Sequence, residues 1–222
     1  RIHKKDVIAL NLDSREKEIL AIPGIPFDVT VERLIGPDSP LVMPPRYLDE
    51  YRKGIEQIRR LYKLHRKAGT DHGQLHSARV LFLALAIIQA GNIKLNLTER
   101  MQLLTAIVFH DIGRRNDGAD DSHGKASREV YENNAGSSAD PAVCFLIEYH
   151  CLADDLAEEY LKVSDVIRAK KRTWLLYQIL KDADALDRVR FGIYDLDVNQ
   201  LRLPITHKLV PLAVAAVTGI KM

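Results

Sequence analysis

The chain has 222 residues, 46% of them hydrophobic and 28% charged, the balance of a soluble globular protein with room for one sizeable core and an appendage. Its 32 basic and 30 acidic residues leave a net charge of +2, so no bulk positive field marks it for nucleic acid or a membrane surface. The longest apolar run, 80–90, is interrupted by Gln89 and is too short to span a bilayer.

Residues 1–45 hold six of the nine prolines and two short β-branched stretches, DVIAL and FDVTV. They read as an irregular N-terminal arm with a strand or two, or as the tail of a preceding segment. Arg1 opens the chain without a leader pattern, which suggests an excised piece of a longer protein.

From Pro45 the pattern is helical. Tyr47, Leu48, Tyr51, Ile55, Ile58, Leu61, Tyr62 and Leu64 recur mostly at spacings of three and four in a charged segment. A second helix, about 74–90, is apolar on most sides, as a central core helix would be. A third starts near Asn96, with Glu99 as its capping-box partner, and ends at His110 and Asp111. Asp121 or Ser122 caps a fourth, which carries His123 in its first turn. Asp140–Pro141 opens a fifth, ending at His150. A charged connection follows, then a sixth helix over 165–190 and a last one over 205–218, kinked at Pro211 and stopped by Gly219. The expected fold is all-α, with a helical domain over 46–222.

Five stretches carry metal-capable side chains: DHGQLHSARV, FHDIGRR, DDSHGKAS, IEYHC and KDADALDRVR. Their central histidines stand at or near helix ends on the apolar stripe, where side chains from separate helices can converge. Imidazole with carboxylate suits iron, manganese, cobalt, nickel or zinc. Each stretch alone has a plain reading as a satisfied polar group; five in order on one helical domain are harder to explain that way.

The ordered pattern resembles the HD superfamily of metal-dependent phosphohydrolases, over about residues 50–195. The resemblance implies an HD-type helical bundle in which His76 of HSARV, the doublet His110–Asp111 and Asp184 of ADALD hold a divalent metal. His123 in SHGKAS and His150 in IEYHC fall where some members, including diadenosine-tetraphosphate hydrolases, add two histidines for a second ion. The absence of a GYP motif counts against the cyclic-dinucleotide subgroup. The implied cofactor is one or two divalent ions (Fe, Mn, Ni, Co, Zn or Mg). The implied reaction is attack of a metal-bound hydroxide on a phosphate ester or anhydride of a small molecule, a nucleotide foremost.

Asp111 and His123 are the expected catalytic groups beside the metals. His123 is the candidate general base if only one ion binds. Arg114, Arg115, Lys125, Lys181, Arg188 and Arg79 lie within about a turn of proposed ligands, and of these Arg114 and Lys125 are the expected substrate-facing cations. Arg188 could instead pair with Asp184. Asp182 and Asp187 read as supporting, helix-end or surface residues, and His72 as a helix cap or hydrogen-bond partner near the site rather than a substrate contact. The loop GRRNDGADDSHG reads as a rim over the site. Its acids Asp117, Asp120 and Asp121 lack the spacing of a calcium loop. The two cysteines, Cys144 and Cys151, lack paired zinc-knuckle spacing, and a reducing, cytoplasmic compartment is expected. The competing functions are a phosphodiesterase on cyclic nucleotide or nucleic acid, and a non-catalytic nucleotide-binding signalling domain. The one basic cluster, RAKKR, reads as a solvated helix face.

Overall fold

The pattern of helix starts and stops written in the sequence reappears, nearly residue for residue, in the computed structural model, which describes residues 26–65, 72–115 and 120–219. Nine α-helices are present among the described residues: α1 Phe27–Ile35, α2 Pro45–Leu64, α3 Gln74–Ala90, α4 Leu97–Phe109, α5 His123–Ala135, α6 Pro141–Tyr149, α7 Asp154–Val163, α8 Lys170–Leu186 and α9 Val210–Thr218. No strand occurs among them. The fold is all-α.

Local chemistry sets the boundaries that matter for the site. Asn96 accepts from Glu99 N at 2.9 Å, and Glu99 Oε2 accepts from Asn96 N at 2.8 Å, closing the capping box of α4. Asp140 accepts from Ala142 N at 2.8 Å and Pro141 opens α6, so that helix too has a fixed first turn. The other ends of α4 and α6 fall at His110 and His150.

Four boundaries differ from expectation, one of them the sixth helix, expected over 165–190 and found as α8 at Lys170–Leu186 with a 3₁₀ turn over Asp187–Arg190. FDVTV lies inside α1, whose Thr30 and Leu34, one helical turn apart, are the residues it buries. The DVIAL stretch lies outside the described residues. The charged connection contains α7, whose apolar stripe is narrow: only Ala157 and Leu161 are buried. At the C-terminus a 3₁₀ turn, Thr206–Leu209, precedes α9, so Pro211 sits in a first turn, where its missing N–H costs nothing, rather than at a kink. Gly219 ends α9 in the left-handed conformation at φ 74°.

The described residues divide into two compact units. The first comprises 26–53, 78–93 and 181–219. Its buried side chains include Leu34, Tyr51, Phe82, Ile87, Leu186 and Val214, each contributing about 1.5–3 kcal/mol by leaving water. Arg33 of α1 donates to Ala216 O and Val217 O at 3.1 and 3.0 Å, covering the free carbonyls at the end of α9. Here Asp187, fully buried, receives Arg79 Nε and Nη2 at 2.6 and 3.0 Å and Arg190 Nη1 at 3.3 Å. Asp182, also fully buried, accepts from Leu203 N at 2.8 Å and Thr206 Oγ1 at 2.9 Å, tying the end of α8 to the loop before α9.

The second unit comprises 54–65, 72–77, 94–115 and 120–180. In it α6 packs against α4 and α5. Phe145 stacks on Tyr160 with ring centroids 6.0 Å apart and meets Tyr177 at 5.6 Å, an apolar floor under α6. Five of the six proposed ligands lie in this unit.

Candidate metal centre

Four histidines reach one carboxylate from four helix ends. His76 stands in the first turn of α3, His110 ends α4, His123 is the first residue of α5, and His150 ends α6. Asp111 follows His110 directly. All five are buried, from 0% exposed for His76 and His110 to 4% for His123.

Asp111 faces two ways. Its Oδ2 lies 3.4 Å from His76 Nε2 and 3.7 Å from His110 Nε2. Its Oδ1 lies 3.1 Å from His123 Nε2 and 3.5 Å from His150 Nε2. Within each pair the rings also meet, His76 Nε2 to His110 Nε2 at 3.1 Å and His123 Nε2 to His150 Nε2 at 3.0 Å. The result is two adjoining donor sets that share a carboxylate.

The tautomers follow from the helix ends. His110 Nδ1 donates to Ile107 O at 2.7 Å and His150 Nδ1 to Ile147 O at 2.6 Å, each to the carbonyl three residues back. His123 Nδ1 sits against Asp120 O. In the neutral rings those bonds leave the Nε2 lone pairs of His110, His123 and His150 directed at Asp111. Acceptors thus converge on acceptors, and Asp111 Oδ1 is buried with no hydrogen bond of good alignment. Such a grouping is relieved by a cation. His110, Asp111 and His150 also offer three ligand atoms within 4.8 Å of one another. These residues fit a divalent metal.

Without metal, protons take part of that role. Burial works against a charged Asp111, but the positive charge at His110, the contacts of His123 and His150, and then His76 hold its carboxyl well below the usual range. Burial likewise opposes a charged His123, yet the bond to Asp111 and the neighbouring Cys151 raise its imidazole to about 10.

Two glycines let the helix ends come this close. A Cβ on Gly113 would stand 2.2 Å from Ser127 N, where Gly113 N donates to Ser127 Oγ at 2.8 Å. A Cβ on Gly124 would stand 2.3 Å from Glu148 O and 2.9 Å from Cys151 Sγ. The turn after the doublet therefore lies directly on α5, and the start of α5 directly on the end of α6.

Of the cations singled out in the sequence, Arg114 reaches this group: its Nη1 is 3.0 and 3.2 Å from the two His123 nitrogens and 3.9 Å from Asp111 Oδ1. Lys125 and Arg115 are exposed, and Lys125, two positions after His123, is about 200° away around the helix. Lys125 is not brought together with the histidines. Arg79, which the sequence placed near the ligands without a committed role, is bound to Asp187 in a buried pair. Arg188 Nε donates to Asp195 O at 3.1 Å. His72 meets His76 edge to face at 5.7 Å, beside the site. Asp184, half-buried in the last turn of α8, belongs to the first unit.

At the entrance to α5, Ser122 holds the capping position but makes no capping bond; its hydroxyl donates to Asp120 Oδ1 at 2.6 Å. Asp117 lies outside the described residues. Cys151, passed over in the sequence because its spacing to Cys144 is uninformative, sits with His123 and His150: their ligand atoms lie within 4.8 Å of one another. Its position next to His150 was the available signal.

The HD domain family matches the chain over residues 74–189, just over half its length and the whole of the centre described here. The protein belongs to the HD domain family, whose resemblance ties it to metal-dependent phosphohydrolysis. No curated protein and no solved structure matches the chain.

Proposed function

We propose that the protein is a phosphohydrolase that uses two divalent ions to cleave a phosphate ester or anhydride of a small molecule, with nucleotides as the foremost substrate class. The observation that carries this reading is the two-sided Asp111, one oxygen toward His76 and His110 and the other toward His123 and His150. Bound divalent ions supply Lewis-acid charge and lower the pKa of water, which is the chemistry that phosphoryl transfer to water needs.

The chain's own residues do the rest. His76, His110 and Asp111 hold one position, with Asp184 as the further ligand carried over from the family pattern; His123, His150 and Asp111 hold the second. The bonds from His110 and His150 to Ile107 O and Ile147 O keep both rings aimed inward. Arg114, beside His123, is the residue that would donate its guanidinium N–H groups to a phosphoryl oxygen. Lys125 is not part of this proposal.

The near-balanced charge supports a small substrate over an extended nucleic-acid strand. No described helix is long and apolar enough to cross a membrane.

The test is elemental analysis of the purified protein beside a screen of nucleoside mono-, di- and triphosphates, dinucleoside polyphosphates and simple phosphate esters, with manganese, iron, cobalt, nickel, zinc and magnesium in turn. Metal-dependent release of phosphate or nucleotide is expected, and its loss in Asp111→Ala. A chain that binds divalent metal in none of these conditions overturns the reading, as does full activity in Asp111→Ala.

A further inference from the structure

The two sides of Asp111 do not offer the same chemistry. Toward His76 and His110 the neighbouring donors are nitrogen and oxygen. Toward His123 and His150 a sulfur joins them. Cys151 Sγ, His123 and His150 present ligand atoms that all lie within 4.8 Å of one another. Cys151 is half-buried and forms no disulfide. Its sulfur faces two backbone acceptors, Asp121 O at 3.5 Å and Glu148 O at 3.7 Å, and also meets the His123 ring, so the thiol and that imidazole are already neighbours. The closeness has a backbone cause. Gly124 follows His123 and Cys151 follows His150, and any side chain at Gly124 would strike the Cys151 sulfur at 2.9 Å. The missing Cβ is what lets the start of α5 and the end of α6 bring imidazole and thiol together.

Cys151 Sγ groups with His123 and His150, and Asp111 Oδ1 lies 3.1 and 3.5 Å from the Nε2 atoms of the same two histidines, so a second position would draw on these four residues. That is four ligands of mixed nitrogen, sulfur and oxygen character, the number and kind that suit tetrahedral zinc. A thiolate raises affinity for zinc and cobalt over manganese and magnesium, which favour oxygen. The other cysteine differs. Cys144 Sγ faces Glu132 Oε1 at 3.7 Å, and burial and then that carboxylate push its thiol up to about 12. It is not a competing ligand.

We propose that Cys151 is a thiolate ligand of the second metal position, and that this position selects a thiophilic ion, zinc first, while the position at His76 and His110 takes a harder ion such as iron or manganese. The inference rests on the two-ion reading above. It adds a ligand and a division of labour between the ions. Binding releases the thiol proton to solvent.

The chain has two cysteines, so Cys144→Ser leaves Cys151 as its sole thiol. This variant, loaded with zinc, is examined by X-ray absorption at the zinc edge, and loaded with cobalt(II), by near-ultraviolet absorption. A zinc–sulfur shell at about 2.3 Å and a thiolate-to-cobalt charge-transfer band are expected. Both should vanish in the double variant Cys144→Ser, Cys151→Ser, with zinc affinity lowered by about 10–100-fold and manganese affinity little changed. Bound ions with nitrogen and oxygen neighbours alone in Cys144→Ser would overturn the proposal and leave the metal centre standing. A chain that takes up no ion at all would overturn both. Because the decisive sulfur signal is read in a chain that keeps Cys151, failure of the double variant to fold would not shield the idea.

Discussion

Asp111 Oδ1 and His123 Nε2 stand 3.1 Å apart, on the side of the carboxylate turned away from His76. A proton or a metal can hold that pair together, and the two compete for it. Much of the behaviour of the site follows from that competition.

Removing the carboxylate charge should empty both positions. In Asp111→Asn the amide keeps the shape but loses the shared negative ligand, and elemental analysis should find metal reduced from two ions to near none. Hydrolysis should fall by at least about 10²-fold, since ligands of one site act together. Retention of both ions would remove Asp111 from the centre of the scheme.

Metal uptake should strengthen as pH rises. With its imidazole raised to about 10, His123 of the metal-free protein carries a proton at neutral pH that an ion must displace. Affinity at the second position should therefore gain up to about tenfold per pH unit below 10, and calorimetry in buffers of different ionisation enthalpy should register proton release. A pH-independent affinity between 6 and 9 would contradict this.

The same ion pair makes metal-free stability depend on pH from both sides. The raised His123 contributes stability fully below about 6.5, its unfolded value, and loses it as pH climbs toward 10. The depressed Asp111 contributes stability above about 4 and loses it as pH falls toward its lowered folded value. The metal-free protein should be most stable between those limits. Thermal melting across pH 3 to 10, with and without a chelator, measures the window, which bound metal should widen on the alkaline side.

Arg79→Ala should destabilise the first unit through Asp187. That carboxylate would lose two of its buried charge-assisted bonds, and breaking a buried pair costs about 3–5 kcal/mol. Arg79→Lys should recover little, because one ammonium cannot replace two parallel N–H bonds. Denaturant midpoints decide. A reading in which Arg79 serves phosphate would instead give a raised KM on an unchanged midpoint.

Gly113→Ala should force the doublet turn off α5, because the new methyl would stand 2.2 Å from Ser127 N. A loss of about 1–3 kcal/mol is expected, together with weaker metal binding. Wild-type melting and metal content in this variant would show that the turn adapts freely.

What could be read from the sequence was what helix ends encode locally. Pro45, the Asn96–Glu99 box and Asp140–Pro141 each name a start, and all three appear where read. The HD doublet, standing where an apolar run breaks, named the end of α4. Relations across elements were harder. Nothing within HSARV says that Arg79 meets a carboxylate 108 positions later. Lys125 had the right spacing along the chain and the wrong angle around α5. The helix α7 was hidden because its buried face amounts to two residues in a charged stretch. FDVTV has β-branched residues that favour a strand in isolation, yet its packing is helical.

His110 and His150 share one more property: each ring is fastened to the last turn of the helix that it ends, through Ile107 O and Ile147 O. Fraying of that turn would release the ring, and a ring held by an ion would in turn splint the turn. Metal occupancy and the opening of the C-terminal ends of α4 and α6 are then two readings of one equilibrium. Backbone amides near residues 107–110 and 147–150 should exchange with deuterium more slowly as ions bind, even with no substrate present. The centre would act as a lock on the helices that build it.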